Sequence, residues 1–386
     1  MNEHVAGPDA EAPAPAVPSP AAAERAPKRA PAKRAPAKKK AAVETVVAEE
    51  IVAVVTVLET VEVAPVAAAV PVPVPVPVTI LVPGKPVRPK DPARQAIRRH
   101  LATHGAALLE QEARVRGDLP DSVHKMRVAA RRLRSGLRTF RPLVDAEWAR
   151  ALGEELRWLA TSLGAMRDRE VLLARLERDI AALPEWAAKE PTLAAVRTEL
   201  GKAMDTARDE ALAALDSPRY AALITALAAA AADPPTTAAA QGSCTNALLP
   251  LMDKAFTKLA DEAKHLHLDP PQVAITAESD DAWHEARITA KKARYAAEAC
   301  EPVFGKPATQ LVAQLTRVTE NLGEHQDAAV AAEAVIEIAS APGVGQAAAL
   351  TLGVLHGVQR EAVRAARADF VAAWPQVAHK RWRTWL

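Results

Sequence analysis

Residues 91–386 predict an all-α domain built on an internal repeat, preceded by a disordered extension over residues 1–90. Three observations predict it. Alanine, leucine and arginine dominate a chain with only 3% aromatic residues, a composition that favours helix. Past residue 90, apolar residues recur at intervals of three and four, and no alternating run bounded by hairpin turns occurs there. Two segments 160 positions apart also carry the same pattern of basic residues.

At 386 residues the chain has room for one large domain or two ordinary ones plus extensions. Of 49 Lys/Arg and 47 Asp/Glu, residues 1–90 hold 11 and 9, which leaves 38 of each beyond them. The folded part is therefore neutral overall, and a polyanion site in it must come from local clustering. Cys244 and Cys300 sit in no CxxC or similar metal spacing and make no disulfide framework, the usage of a reducing, cytoplasmic compartment. The N-terminus lacks the basic-then-apolar order of a secretory signal. The most apolar run, Ile51–Leu58, is eight residues long and flanked by Glu49, Glu50, Glu59 and Glu62, so no transmembrane segment is expected.

Residues 1–42 are Ala/Pro-rich, with KR, KR and KKK recurring every five residues in APKRAPAKRAPAKKKAA, and read as disordered. Such a Lys-rich arm resembles the tails of histone-like proteins and supports non-specific nucleic-acid contact; its plainer reading is a solubilising tail. Val43–Val70 turns to valine and glutamate with neither strand nor helix period, a low-complexity linker rather than a surface-binding segment. Pro71–Val78, PVPVPVPV, is a polyproline II spacer. The folded domain is expected to begin near Pro92.

In the helix expected over Pro92–Arg116, Ile97, Leu101, Ala102, Leu108 and Leu109 form the core side, with Asp91 placed to cap it and Pro92 in its first turn. Gly117-Asp118-Leu119-Pro120 ends that helix, and Asp121 or Ser122 caps the next. Further helices are expected at about 145–163, 166–183 and 191–232. Asp233-Pro234-Pro235 through Gly242-Ser243 is the strongest internal break and divides repeat 1, about 92–232, from repeat 2, about 245–375. The second series is Ala247–Leu268, 280–301, 306–323, 325–340 and 345–373.

The helix at Val123–Val144 organises the domain. His124, Arg127, Arg131, Arg134 and Arg138 recur at intervals of 3, 4, 3 and 4, which puts them on one face. Val123, Met126, Ala130, Leu133, Leu137 and Phe140 form an apolar seam beside that line. DSVHKMRVAARRLRS at 121–135 then aligns without gaps to DAWHEARITAKKARY at 281–295. His124 matches His284, Arg127 matches Arg287, Arg131 matches Lys291, Arg132 matches Lys292 and Arg134 matches Arg294. About 40 residues on, LGAMRDREV at 163–171 matches LGEHQDAAV at 322–330, pairing Gly164 with Gly323 and Asp168 with Asp327. A basic stripe alone is ordinarily a solvated face, but packing does not account for two copies with the same cationic spacing and different apolar filler.

The HxxRxxxRRxR helix, its second copy ending KKxRY, and the LGxxxD turn after each resemble the CHAD domain, the conserved-histidine α-helical domain, over about residues 92–386. The resemblance implies two pseudo-symmetric antiparallel four-helix bundles facing each other across a basic cavity that binds inorganic polyphosphate, and residence on polyphosphate-containing granules in bacteria. Such domains are often fused to a triphosphate-tunnel (CYTH) phosphohydrolase; residues 1–90 contain no ExExK-like run, so that partner is expected to be absent from this chain.

The chemistry fits. A linear polyanion needs a line of fixed cations, and arginine stays charged while binding two phosphate oxygens at once. The expected polyphosphate-binding residues are His124, Arg127, Arg131, Arg132, Arg134, Arg138, His284, Arg287, Lys291, Lys292 and Arg294, with Asp168 and Asp327 in support by holding an arginine or capping a helix. His124 and His284 should tighten binding as pH falls. Affinity should rise with polymer length and fall with salt. No cofactor, nucleophile or dense carboxylate cluster is seen, so no enzymatic activity is expected.

The first competitor is a divalent metal site, with His124, His284 and His325 converging on Asp168 and Asp327, though seven arginines or lysines would repel the cation. Non-specific nucleic-acid binding is the next; the domain shows no base-stacking aromatic row. Trp158 and Trp283 read as core anchors, His265 and His267 as exposed, and the terminal RWRTWL as packing onto the bundle.

Overall fold

The computed structural model describes residues 52–53, 78–266 and 280–386. The expectations for residues 1–51, for 54–77 and for His267 lie outside these. Ten α-helices lie among the described residues: α1 Ala93–Arg116, α2 Ser122–Thr139, α3 Ala146–Ser162, α4 Gly164–Ala181, α5 Lys189–Leu215, α6 Pro218–Ala232, α7 Cys244–His265, α8 Asp280–Phe304, α9 Lys306–Ala339 and α10 Gln346–Val377. The strands among them are one short antiparallel pair, β1 Val52–Ala53 with β2 Ile80–Leu81. The domain is all-α.

Three expected helices end or divide elsewhere, the first being that over Val123–Val144, which stops at Thr139 and is followed by a 3-10 turn over Arg141–Leu143. The segment expected as one helix over 191–232 is α5 and α6, because Ser217 accepts a hydrogen bond from the Tyr220 backbone N–H (3.2 Å) and Pro218 occupies the first helical position, a start signal inside the run. The segments expected at 306–323 and 325–340 are the single helix α9, which runs through Gly323; an interior glycine costs only about 1 kcal/mol and does not stop a helix buried along its length. In the first repeat the chain does break, at Leu163 before Gly164. Thus α3 with α4 corresponds to α9, and α5 with α6 to α10.

The expected caps are replaced as well. Asp91 accepts a hydrogen bond from the Arg88 backbone N–H (2.8 Å), and Pro92 stands at the N-cap of α1 with no side-chain cap. Asp121 takes a left-handed conformation (φ 58°) and makes no cap bond, while the Ser122 hydroxyl donates to the Leu119 carbonyl (2.7 Å).

Packing follows the repeat. In the first half α1 lies against α2 and α6, and α3 against α2 and α6; in the second, α8 lies against α7 and α9, and α9 against α10. α2 and α8 meet between the halves. The main apolar core draws on both repeats. A second core joins Leu176 and Ile180 of α4 and Val196 of α5 to Val335 and Ile338 of α9 and Leu352 and Leu355 of α10. α9 and α10 therefore run through both.

Packing begins upstream of Pro92. Ile80 is 2% exposed and its Cδ1 would lie 2.9 Å from a Cβ at Gly105, so the absent side chain lets β2 sit down on α1. The Arg99 guanidinium donates to the carbonyls of Pro83 (2.7 Å) and Lys85 (3.0 Å) and holds that segment. At the other end Trp382, Trp385 and Leu386 pack against the main core, and Arg383 lies 4.3 Å from the Phe256 ring centroid. No helix among the described residues is long and apolar enough to cross a membrane.

Candidate functional site

The seam of α2 is buried throughout: Val123, Met126, Ala130, Leu133, Leu137 and Phe140 all lie in the main core. α8 buries Trp283, Ala286, Ala290, Ala293 and Ala297 at the matching positions, and the burial classes of 123–137 and 283–297 agree residue by residue. Each helix is thus pinned by the same edge. The basic residues beside the seams, Arg138 excepted, are half-buried, with stems along the core and heads at its margin.

Where α2 approaches α8, five cations come together: Arg127 and Arg131 from the first copy, and Arg287, Lys291 and Arg294 from the second. Their partners divide them. Arg127 donates to Asp168 Oδ1 (2.9 Å) and to the Gly164 carbonyl (3.2 Å); a Cβ at Gly164 would come within 3.2 Å of Arg127 Nη2. Its repeat mate Arg287 stands 3.9 Å from Asp327, the mate of Asp168. Arg294 donates to the Thr319 hydroxyl (2.8 Å), and its Nε is 3.3 Å from Glu298. Arg131 and Lys291, also repeat mates, have no ion pair or hydrogen bond among the described residues. The Nε atoms of Arg127, Arg131, Arg287 and Arg294 are buried without an acceptor.

This crowding shifts the titrations. Burial, then the charges of Arg287, Arg131 and Arg294, pulls Lys291 down to about 7. Burial lowers Arg131 and Arg287 too, but guanidinium keeps its proton at neutral pH. Burial raises Asp327, against the pull of Arg287. His124 is pushed below its ordinary value by burial and by the charges of Arg167 and Arg131, so it carries less charge near neutrality than an ordinary histidine. His284 Nδ1 is hydrogen-bonded to the Gln326 side-chain oxygen.

The remaining expected residues lie elsewhere. Arg132 is turned from the cluster by one residue, about 100° around the helix, and its Nε is 3.3 Å from Glu298. It lines a pocket of about 200 Å³ between α1, α2 and α8, with His100, His104, Tyr295 and Glu298. Its mate Lys292 lies instead near Arg138, Lys258 and Glu262. Arg134 and Arg138 share Arg127's face but sit about 10 and 16 Å further along the axis, at about 1.5 Å per residue. There Arg134 neighbours Arg138, Arg157 and Glu154, and Arg138 is exposed.

The convergence of three histidines does not form. His325 is 1% exposed, stacks on Trp283 (5.6 Å between centroids) and faces Asp280 and Arg367. Among the described residues no group of three or more His, Cys, Asp or Glu is placed to hold a metal ion.

Three neighbours of the cluster escaped the sequence reading: Glu298, which contacts both Arg132 and Arg294; Thr319; and Tyr295, which faces Arg131 and Arg287. Glu298 had a signal, because the 160-residue offset matches it to Arg138 and reverses the sign of that position.

A family model described as the CHAD domain matches residues 99–335. Two curated relatives from Mycobacterium tuberculosis, the uncharacterized proteins MT2285 (strain CDC 1551 / Oshkosh) and Rv2226 (strain ATCC 25618 / H37Rv), are each 30% identical over 297 residues. The match covers 76% of this chain and 54% of theirs, so the chain spans about half the length of the curated relatives it matches. Among solved structures, PptA from Streptomyces chartreusis is similar with a TM-score of 0.62 and 28% identity over 74% of this chain and 100% of its own. The CHAD domain from the plant Ricinus communis is similar with a TM-score of 0.55 and 26% identity, over 73% of this chain and 94% of its own.

Proposed function

The chain belongs to the CHAD domain family, and on that footing we propose that it binds inorganic polyphosphate, without catalysis, in a basic groove between its two repeats. The observation that carries this reading is the pair Arg131 and Lys291: two repeat-equivalent, half-buried cations without an acidic or hydrogen-bonding partner among the described residues. Like charges held together and partly desolvated destabilise a fold, and an anionic ligand offsets that cost. Arg127 and Arg287 flank the pair, each beside one carboxylate, and supply the next cations along a chain of phosphates. Arg294, His124 and His284 extend the groove; Arg132, Arg134, Arg138 and Lys292 are offered to other surfaces.

Two other readings are weaker. A divalent cation would meet five positive side chains at the cluster, with Asp168 and Asp327 already beside arginines. For single-stranded nucleic acid the cluster provides Tyr295 but no row of aromatic side chains on which bases could stack. Non-specific contact of that kind is left to the Lys-rich arm within residues 25–40. Residence on polyphosphate-containing granules in the cytoplasm follows from the proposed ligand.

The test is the variant with Arg127, Arg131, Arg287 and Lys291 all changed to alanine. Circular dichroism should show helicity kept, and binding to long-chain polyphosphate should be lost. Binding that survives this change assigns the cluster a structural role and rejects the reading.

A further inference from the structure

We infer that Lys291 is the proton-gated cation of this site: it is uncharged in a share of the empty protein and takes up a proton when the polyanion arrives, so the grip loosens as the medium turns alkaline. This rests on the polyphosphate reading above and adds the regulation of that site.

The composition of the cluster decides which of its groups can give up a proton. Five basic side chains share the space where α2 meets α8, and the three carboxylates at its edge, Asp168, Asp327 and Glu298, stand beside Arg127, Arg287 and Arg294. Charge crowding of this kind is relieved by releasing a proton, and four of the five groups are guanidinium, which does not release one near neutral pH. The lysine does.

The groups around Lys291 all bear in the same direction except one. Arg131 faces it from α2, Arg287 and Arg294 from its own helix, and Asp327 from α9. Asp168 of α4 and Tyr295 act one step removed, through Arg131 and Arg287. The charged groups of α7, Lys258 and Glu262, face Lys292 on another flank of α8. Arg99, His100 and His104 of α1 line the pocket beyond Tyr295. Burial and three positive charges together hold Lys291 at about 7, where an ordinary lysine stays charged to 10.5.

A phosphate chain laid across the cluster reverses the sign of this environment. It brings one negative charge per phosphate against Arg131, Arg287 and Arg294, and the protonated ammonium becomes the favoured form. Above the free value of about 7 and below the raised bound value, binding must therefore take up one proton at Lys291. The repeat makes the site asymmetric in this respect. The first copy offers Arg131, charged at every physiological pH, and the second offers at the equivalent position a cation whose charge depends on pH and on the ligand. His124 is not the source, since it is held low by burial and by Arg167 and Arg131.

The experiment uses the full chain and polyphosphate long enough that its titrating end groups are a small fraction. Affinity is measured from pH 6.5 to 9, and calorimetry in two buffers of different ionisation enthalpy counts protons. Wild type should weaken by up to about tenfold per pH unit above pH 7, with uptake approaching one proton per site. Lys291→Arg should bind at pH 9 as it does at pH 7 and take up no proton, and the double variant His124→Asn with His284→Asn should keep the wild-type slope. The inference is overturned if Lys291→Arg keeps the slope, or if the double histidine variant loses it. Wild-type binding that is flat across this range overturns it alone, whereas no wild-type binding even at pH 6.5 removes the polyphosphate reading with it.

Discussion

Arg127 and Arg131 lie one helical turn apart, yet the carboxylate of Asp168 reaches only the first. That carboxylate competes with any anion for Arg127, and Asp327 does the same for Arg287 in the second repeat. Asp168 is well solvated, at 74% side-chain exposure, and Asp327 about half so, at 47%, so these pairs contribute roughly 0–1 kcal/mol to stability. Changing both to asparagine should tighten polyphosphate binding several-fold at low salt and shift thermal unfolding little; fluorescence titration beside a melting curve checks both. Lys291 carries the opposite balance. Lys291→Met removes an unpaired half-buried cation and should stabilise the ligand-free protein at pH 7 by about 0.5–2 kcal/mol while weakening binding. Urea denaturation of the variant reads the stability half directly.

At the scale of single helices, the contact of α1 with α2 depends on Gly136. A Cβ there would lie 2.2 Å from His100 Nε2, and that nitrogen donates to the Arg132 carbonyl (3.1 Å), so the ring has no room to retreat. Gly136→Ala should cost about 1–3 kcal/mol by overpacking. The second change His100→Ala should recover part of that loss, as a double-mutant denaturation series would show. The same contact makes the fold acid-sensitive. Burial lowers His100 to about 4 and His104 to about 3 from an ordinary 6.5. The folded protein keeps both rings neutral while the unfolded chain protonates them near 6.5. The stabilisation from neutral rings is therefore complete above about pH 6.5 and lost progressively as pH falls towards 4. Melting temperature measured between pH 7 and 4.5 should fall over this window, with a smaller fall in His104→Leu.

For the molecule as a whole, α9 and α10 are shared by two cores, and one buried charge ties the second core together. Arg175 of α4 is 7% exposed, donates through Nε to Gln359 of α10 (2.7 Å) and through Nη2 to Glu324 of α9 (2.7 Å). Removing it leaves Gln359, which is fully buried, and Glu324 without their donor, while Asp179 keeps Arg178. Arg175→Ala should cost about 1–3 kcal/mol, the cost of an unpaired buried acceptor. Hydrogen exchange should rise in α4, α5 and the adjoining halves of α9 and α10, while affinity at the cation cluster stays within a few-fold of wild type. A loss of binding as large as the loss of stability would mean the two cores are not separable.

How much of this was legible in the chain follows from the range of each interaction. The helix class, the repeat, the apolar seam and the angular position of every basic residue follow from spacing along one backbone, because 3.6 residues per turn assigns a face without knowledge of neighbours. The pairing of Arg127 with Asp168 was within reach for a related reason: the LGxxxD motif recurs after each basic helix, its aspartate 41 residues past Arg127 and 40 past Arg287. The choice among basic residues was not legible. Arg131 meets Lys291 while Arg132 meets Glu298 and Arg138 neighbours Lys292, because the crossing of α2 and α8 is set by packing between residues some 160 positions apart. The same holds for the proton on Lys291. Its ordinary value belongs to the residue type, and its departure to about 7 needs, beside Arg287 and Arg294 of its own helix, the burial and the Arg131 charge that exist only once the two repeats have met.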